Sequence, residues 1–238
     1  YDVFGVNAEL LIDHAWGWEP CTIADIKAYK PETTSIGSGQ VLQCPYSYGS
    51  TRLVVREMAD QLALELVDKG LATKQLVLTV GYDIENLTDE NRRKNYRGEV
   101  TIDRYGRKIP RHAHGTANLP RYTSSSNQIM EAVTALFDRI IDKELLARRV
   151  NLTAANVLDE AAVEREESCE QMDFFSTSQE GQKEKEREEA ELARERRRQE
   201  AMLAIKKKFG KNAILKGMDL QEDATAMDRN GKIGGHKA

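Results

Sequence analysis

Long apolar runs are missing from this chain of 238 residues. No stretch approaches the roughly 18 consecutive apolar residues of a membrane span, and no charged-then-apolar segment opens the chain, so neither a spanning helix nor a secretory signal is read in it. A cytoplasmic protein with no membrane contact is the expectation. Cysteine is scarce as well. Cys21, Cys44 and Cys169 are odd in number, far apart and without a C-x-x-C pair, which supports neither a disulfide framework nor a zinc site. Buried or idle thiols are expected instead. Aromatic residues make up 6% of the chain against 31% charged residues, and the charge is concentrated in the last third. That imbalance predicts a compact part followed by a solvated one. The chain also lacks G-x-S-x-G, a P-loop and any defensible paired-carboxylate motif, so nothing in it reads as a reaction centre.

What is present is segregated charge. The net charge of -4 argues against indiscriminate coating of nucleic acid, but it conceals two opposed blocks. Between residues 92 and 111 there are eight bases (Arg92, Arg93, Lys94, Arg97, Arg104, Arg107, Lys108 and Arg111) against Glu99 and Asp103. Between residues 159 and 173 there are seven acids against Arg165 alone. A local field of this kind attracts a polyanion even on a slightly acidic molecule.

Residues 1–31 read as a small helical segment, with Phe4, Leu10, Leu11, Ile12 and Trp16 apolar, a break at Gly17, a restart near Ile23 and an end at Pro31. Residues 32–39, rich in Thr, Ser and Gly, read as a linker. Residues 40–158 carry the clear periodicities. Gln40 to Cys44 is a short strand, and a helix follows with Val55, Met58, Leu62 and Leu66 on one face, ending at Lys69-Gly70. From Gln75 to Tyr82, Leu76, Leu78, Val80 and Tyr82 alternate with Gln75 and Thr79. From His112 to Leu119, Ala113, Gly115, Ala117 and Leu119 alternate with His112, His114, Thr116 and Asn118. Ser125-x-x-Gln128 is a capping-box pattern ahead of an apolar stripe of Ile129, Val133, Leu136, Phe137, Ile140 and Ile141. A last strand from Val150 to Val157 sets Val150, Leu152 and Ala154 against Asn151 and Thr153.

The predicted fold class is therefore α+β, a βαββαβ four-stranded open-faced sheet with two helices on one side. The other face is left to Gln75, Thr79, His112, His114, Thr116, Asn151 and Thr153, short hydrogen-bonding residues suited to phosphates and sugars. The alternative is an ordinary solvated sheet face. Between the second and third strands the basic segment reads as a hairpin whose charges could straddle a duplex, or as a salt-bridged loop. His112 and His114 lack a carboxylate or cysteine at metal spacing.

Residues 159–177 read as an acidic linker holding the peptide Gln171-Met172-Asp173-Phe174-Phe175. Its apolar anchors sit in a stretch too polar to build a core, so they either fold back on the chain or dock in a partner's pocket. Residues 178–238 read as a long exposed charged helix, held partly by Glu/Arg pairs, and a disordered tail.

On these motifs residues 1–160 resemble the C-terminal half of a bacterial Y-family, UmuC-like translesion DNA polymerase. Phe4-Gly5-Val6-Asn7-Ala8-Glu9-Leu10-Leu11 and His14-Ala15-Trp16-Gly17 are similar to the end of that family's thumb. Lys30-Pro31 and Ser35-Ile36-Gly37-Ser38-Gly39-Gln40 are similar to its thumb-to-little-finger connection. The βαββαβ unit is similar to its little finger, which lays its sheet along the DNA backbone. Gln171 to Phe175 resembles the family's sliding-clamp-binding motif, with Met172 and Phe174 where leucines are commoner. Phe209 to Leu215 and Gly234 to Lys237 resemble tails of such polymerases in Gram-positive bacteria.

The resemblance implies damaged-DNA binding in DNA repair and translesion synthesis within the SOS response, with primer–template DNA and the sliding clamp as partners of a monomeric protein. It implies DNA contacts from Ser35, Ser38, the sheet-face residues and the basic segment. In that family palm carboxylates hold two magnesium ions for nucleotidyl transfer. Such a palm would precede Tyr1, where the chain begins in mid-pattern without Met. No cofactor is thus expected in this chain, magnesium is expected only in the palm, and the chain alone is expected not to polymerise. Two other readings stand beside this one. The first is a stand-alone, non-catalytic DNA- or clamp-binding accessory protein. The second is an RNA-recognition module, although such folds stack bases on sheet-face aromatics where this chain has Thr, Asn, His and Gln.

Overall fold

A computed structural model describes residues 2–5, 7–29, 34–103, 105–167, 179–233 and 236–237. The chain divides into two units, residues 1–33 and 34–238. The first holds α1 (Asn7–Ala15) and α2 (Ile23–Ala28). Gly17, at φ +74°, takes the left-handed conformation that ends α1. Thr22 starts α2 with a reciprocal cap: its hydroxyl accepts the Asp25 amide at 3.2 Å while the Asp25 carboxylate accepts the Thr22 amide at 2.9 Å. Leu10, Leu11, Ile12, Trp16 and Ile23 are all at least half exposed in this unit.

The second unit begins with β1 (Ser35–Tyr46), α3 (Tyr48–Lys69) and β2 (Leu71–Tyr82). Two short helices, α4 (Glu85–Thr88) and α5 (Glu90–Asn95), lead into a hairpin of β3 (Val100–Ile102) and β4 (Lys108–Pro110). Then come β5 (Ala113–Thr123), α6 (Ser126–Ile140), β6 (Ala147–Asp159), α7 (Glu160–Glu167) and α8 (Gln179–Phe209). A 3-10 turn at Gly217–Leu220, α9 (Ala226–Asn230) and the pair β7 (Lys232–Ile233) and β8 (His236–Lys237) close the chain. The main sheet runs β1-β6-β2-β5, with every neighbouring pair antiparallel. The strands that build it and the helices α3 and α6 follow one another as βαββαβ, the predicted α+β arrangement.

The core lies between the sheet and those two helices. Leu76, Leu78 and Val80 from β2 and Val150, Leu152 and Ala154 from β6 are sealed from solvent. Val54, Val55, Met58, Leu62 and Leu66 of α3 meet them, with Ile129, Val133, Leu136 and Phe137 of α6. Each of these side chains larger than alanine contributes about 1.5–3 kcal/mol by leaving water. Gly115 faces α6 from β5; a Cβ there would stand 2.9 Å from Leu136 Cδ1 and Ile140 Cγ2, so its missing side chain lets the helix lie close to the sheet. Ser47, Ser125 and Gly70 supply the caps, the two serines accepting amides of the first turns of α3 and α6 and Gly70 ending α3 at φ +65°.

Several elements differ from the sequence reading. β1 starts five residues earlier than Gln40, inside the stretch read as a linker. Its Ser/Gly composition hides a strand because backbone pairing to β6, from Ser35 opposite Ala155 to Val41 opposite Arg149, supplies what the side chains do not. The basic segment is not one hairpin: Arg92, Arg93 and Lys94 belong to α5, and only residues 100–110 form the β3–β4 pair. α8 is not a wholly exposed helix. Glu195 and Gln199 are buried against the domain, where the Glu195 carboxylate accepts the Ser125 hydroxyl at 2.7 Å and the Asn127 amide at 2.9 Å. The tail is ordered through α9, whose start is held by Glu57 of α3: its carboxylate accepts both the Thr225 amide and hydroxyl at 2.9 Å. Cys21 and Cys44 are free and exposed rather than buried.

Candidate nucleic-acid interface

Strand pairing arranges the uncovered face of the sheet in rows, because side chains of paired residues point the same way and alternate along each strand. One row runs Ser35, Ala155, Gln75, Asn118. The next is Gly37, Thr153, Val77, Thr116, and the third is Gly39, Asn151, Thr79, His114. A fourth adds Val41, Arg149 and Gly81. All are exposed or half-buried, while the residues between them on β2 and β6 are buried in the core.

Cross-strand bonds set the side chains of this surface. Gln75 Nε2 donates to Asn118 Oδ1 at 2.9 Å, and the Thr79 hydroxyl and His114 Nδ1 are 2.9 Å apart. His112, one residue ahead of β5, places its ring 6.4 Å from that of His114, edge to face. Thr153 and Asn151 lean over the β1 backbone at Gly37 and Gly39, filling the space a Cβ would need. The result is a low surface of hydroxyls, amides, imidazoles and bare backbone, interrupted by Ala155, Val77 and the exposed Val41, with the core directly beneath it. Such groups meet phosphates and sugars without reading bases.

The predicted site residues divide into several groups. Gln75, Thr79, His114, Thr116, Asn151 and Thr153 share the open face in contiguous rows, and Ser35 joins them at the β1 edge. Ser38 does not: it pairs with Leu152 and so belongs to the helix-bearing side, because strand alternation puts it one step out of phase with Ser35. In α5 the Arg92 guanidinium donates to the Glu144 carbonyl at 3.4 Å, while Arg93 and Lys94 are exposed. Arg111 is tied to Glu99, and Lys108 stands exposed on β4 without an ion pair among the described residues. Arg104 and the peptide Gln171 to Phe175 lie outside the described residues.

The hairpin turn is organised by Asp103. Its carboxylate accepts the amides of Tyr105 and Arg107 at 2.9 Å and the Arg107 guanidinium at 2.7 Å. Desolvation by itself would raise the Asp103 carboxyl, but the bonds from Arg107 and the two amides outweigh it and hold the group below its ordinary value. The Arg107 guanidinium also lies 5.2 Å from the Tyr105 ring centre.

Sequence reasoning missed Arg149. It belongs to the open face beside Val41 and Gly81, and it makes no hydrogen bond or ion pair among the described residues. The signal is available: counting back by twos from Thr153 and Asn151 reaches Arg149, but the strand read from the sequence starts at Val150, three residues after β6 begins. Arg149 lines a cleft of about 730 Å³ where the sheet face meets the hairpin, together with Gly81, Asp83, Arg107 and Arg148. Arg148 is held there, donating to the Gln43 carbonyl at 3.0 Å and standing 3.7 Å from the Asp83 carboxylate.

Among the described residues no group of three or more His, Cys, Asp or Glu side chains is placed to hold a metal ion, and no helix is long and apolar enough to cross a membrane. A family model described as the impB/mucB/samB family C-terminal domain matches residues 33–174, a span that takes in the whole main sheet, α3, α6 and the basic segment. No curated protein matches the chain.

Proposed function

Since the chain belongs to the impB/mucB/samB family and carries the C-terminal region of a Y-family, UmuC-like polymerase, we propose that its open sheet face grips primer–template DNA by the sugar–phosphate backbone. The observation that carries this reading is the open face itself, four rows made mostly of hydrogen-bonding residues and glycine, broken only by Ala155, Val77 and Val41, with Arg149 unpaired among them. Contacts of that kind position a duplex and ignore base identity, so a damaged template base is held as well as an intact one. The basic segment adds counterion release beside the face. The peptide Gln171 to Phe175 ties the protein to the sliding clamp, and the tether raises the local concentration of the sheet at the primer terminus.

In this reading the protein is a cytoplasmic monomer serving DNA repair and damage tolerance in the SOS response. The chain supplies grip and tether, while magnesium-dependent nucleotidyl transfer belongs to a palm domain. The test is primer–template binding by fluorescence anisotropy. Arg149→Glu is expected to weaken it by about tenfold and to lower the steepness of its salt dependence, as loss of a phosphate contact and gain of repulsion require. Unchanged affinity and slope would remove the open face from the interface.

A further inference from the structure

α8 has two unlike halves. Residues 179–193 carry six acids against three bases, whereas residues 194–211, which run two residues past the helix end, carry eight bases against two acids. A helix favours this polarity, since its dipole stabilises anions at the start and cations in the last turn. That accounts for Lys206, Lys207 and Lys208 in the last turn. It does not account for Arg194, Arg197 and Arg198, which stand about three turns before the end, where the dipole has faded.

The docking of α8 sorts these charges. Glu195 turns inward to Ser125 and Asn127, and Arg196 is consumed by Glu160 at 2.8 Å and Glu200 at 3.0 Å. Lys207 pairs with Asp68 of α3. Both acids of this half are thereby used, and Arg194, Arg197, Arg198, Lys208 and Lys211 are left exposed with no ion pair among the described residues. The helical period puts Arg197 and Lys208 on the side away from Glu195 and Gln199 with the small Ala201 and Ala204 between them, while Arg194 and Arg198 stand at the flank, exposed at the rim of a cleft shared with Asn127 and Gln128 of α6. A rod-like polyanion can approach such a face closely.

Its position in the fold matters equally. α8 crosses the end of the sheet where β2 begins and β5 ends, beside a cleft of about 450 Å³ lined by Ala72, Thr123, Glu160 and Glu195. The hairpin lies at the opposite end, next to Gly81 and Tyr82. Strands of twelve residues separate the two, and at about 3.3 Å per residue that is roughly one turn of duplex.

We propose that the outward arginine face of α8 is a second nucleic-acid contact, taking backbone phosphates of duplex beyond the stretch held by the sheet; the inference rests on the DNA-gripping reading above. The test compares the unchanged chain with R194Q/R197Q/R198Q on labelled mixed-sequence duplexes of ~12 and ~30 base pairs. The triple variant is expected to bind the long duplex about tenfold more weakly, with a salt slope lower by about 2 to 3, and the short duplex within about twofold of the unchanged chain. Unchanged affinity and slope on the long duplex would overturn the proposal, and so would an equal loss on both lengths. Polyglutamate competing for this face as well as DNA would overturn it in favour of an acidic protein partner. Arg149→Glu measured in parallel reports on the sheet alone: failure of the unchanged chain to bind either duplex sinks both readings, while loss with Arg149→Glu and none with the triple variant sinks only this one.

Discussion

The carboxylate of Glu195 on α8 accepts the hydroxyl of Ser125 at 2.7 Å, so a buried acid from the charged helix closes over the first turn of α6. The same carboxylate takes the Asn127 amide, and Gln199 one turn later donates to the Ser124 carbonyl at 2.9 Å and the Ser126 hydroxyl at 3.0 Å. At this point α8 is attached to the domain by satisfied polar groups.

Glu195→Ala is therefore expected to destabilise the protein by about 1–3 kcal/mol, because it takes the acceptor from the buried Ser125 hydroxyl and from the partly buried Asn127 amide. The loss should be local. Hydrogen exchange should speed up along residues 190–205 while the amides of β2 and β6 keep their protection. Uniform acceleration through the sheet would mean that α8 is integral to the fold's global stability.

That attachment also marks where sequence reading stops. β2 was legible because Leu76, Leu78 and Val80 alternate with polar neighbours, and α6 because Ile129, Val133, Leu136 and Phe137 repeat at helical spacing. The docked side of α8 offers Glu195 and Gln199, residue types that in a helical pattern signify solvent. Their burial depends on partners about 70 residues earlier, and no local period encodes such a pairing. The candidate site divides in the same way. Thr79, Asn151 and Thr153 follow from alternation, but Ser38, implied only by the resemblance of the Ser35–Gln40 segment, pairs with Leu152 and falls on the opposite side. Arg149 was lost because a strand end is set by its neighbour's register and not by its own composition.

A pH dependence follows from the link between α3 and α6. Asp138 accepts Arg52 Nε at 2.9 Å and Nη2 at 3.0 Å, and the Tyr48 hydroxyl at 2.6 Å. The Arg52 bonds, opposed by desolvation and helped by Tyr48, hold the Asp138 carboxyl below its ordinary value. A depressed folded pKa stabilises the protein above the unfolded value of about 3.9, and this contribution disappears as pH falls through the folded pKa. Asp138→Asn should thus lower the melting temperature at neutral pH. The difference from the unchanged chain should shrink as pH falls below the ordinary carboxylate value of about 3.9 and on through the lower folded pKa. A difference that stays constant with pH would assign the effect to packing.

The hairpin makes a gain-of-binding prediction. Arg111 is tied to Glu99, whose side chain is 60% exposed, so Glu99→Gln removes a negative charge and frees a guanidinium without disturbing the core. Duplex binding should tighten by about twofold and its salt slope should steepen by up to about 0.9. Lys108→Glu should do the reverse. If both substitutions leave the anisotropy titrations unchanged, the hairpin lies away from the DNA and its charge is merely solvated.

The clamp tether proposed for Gln171 to Phe175 can be tested apart from the proposed grip because the two lie in different stretches of sequence. Phe174 and Phe175 follow an acidic run, and neither the rows of the open face nor the hairpin draws on them. Replacing both by alanine removes the apolar anchors of a short peptide, where a few buried aromatics carry most of the binding energy. Binding to a purified bacterial sliding clamp, followed by surface plasmon resonance, is expected to vanish, with duplex affinity retained within about twofold. Parallel loss of both, together with a lower melting temperature, would identify the pair as part of this domain's own core and would leave the protein without a clamp tether at this position.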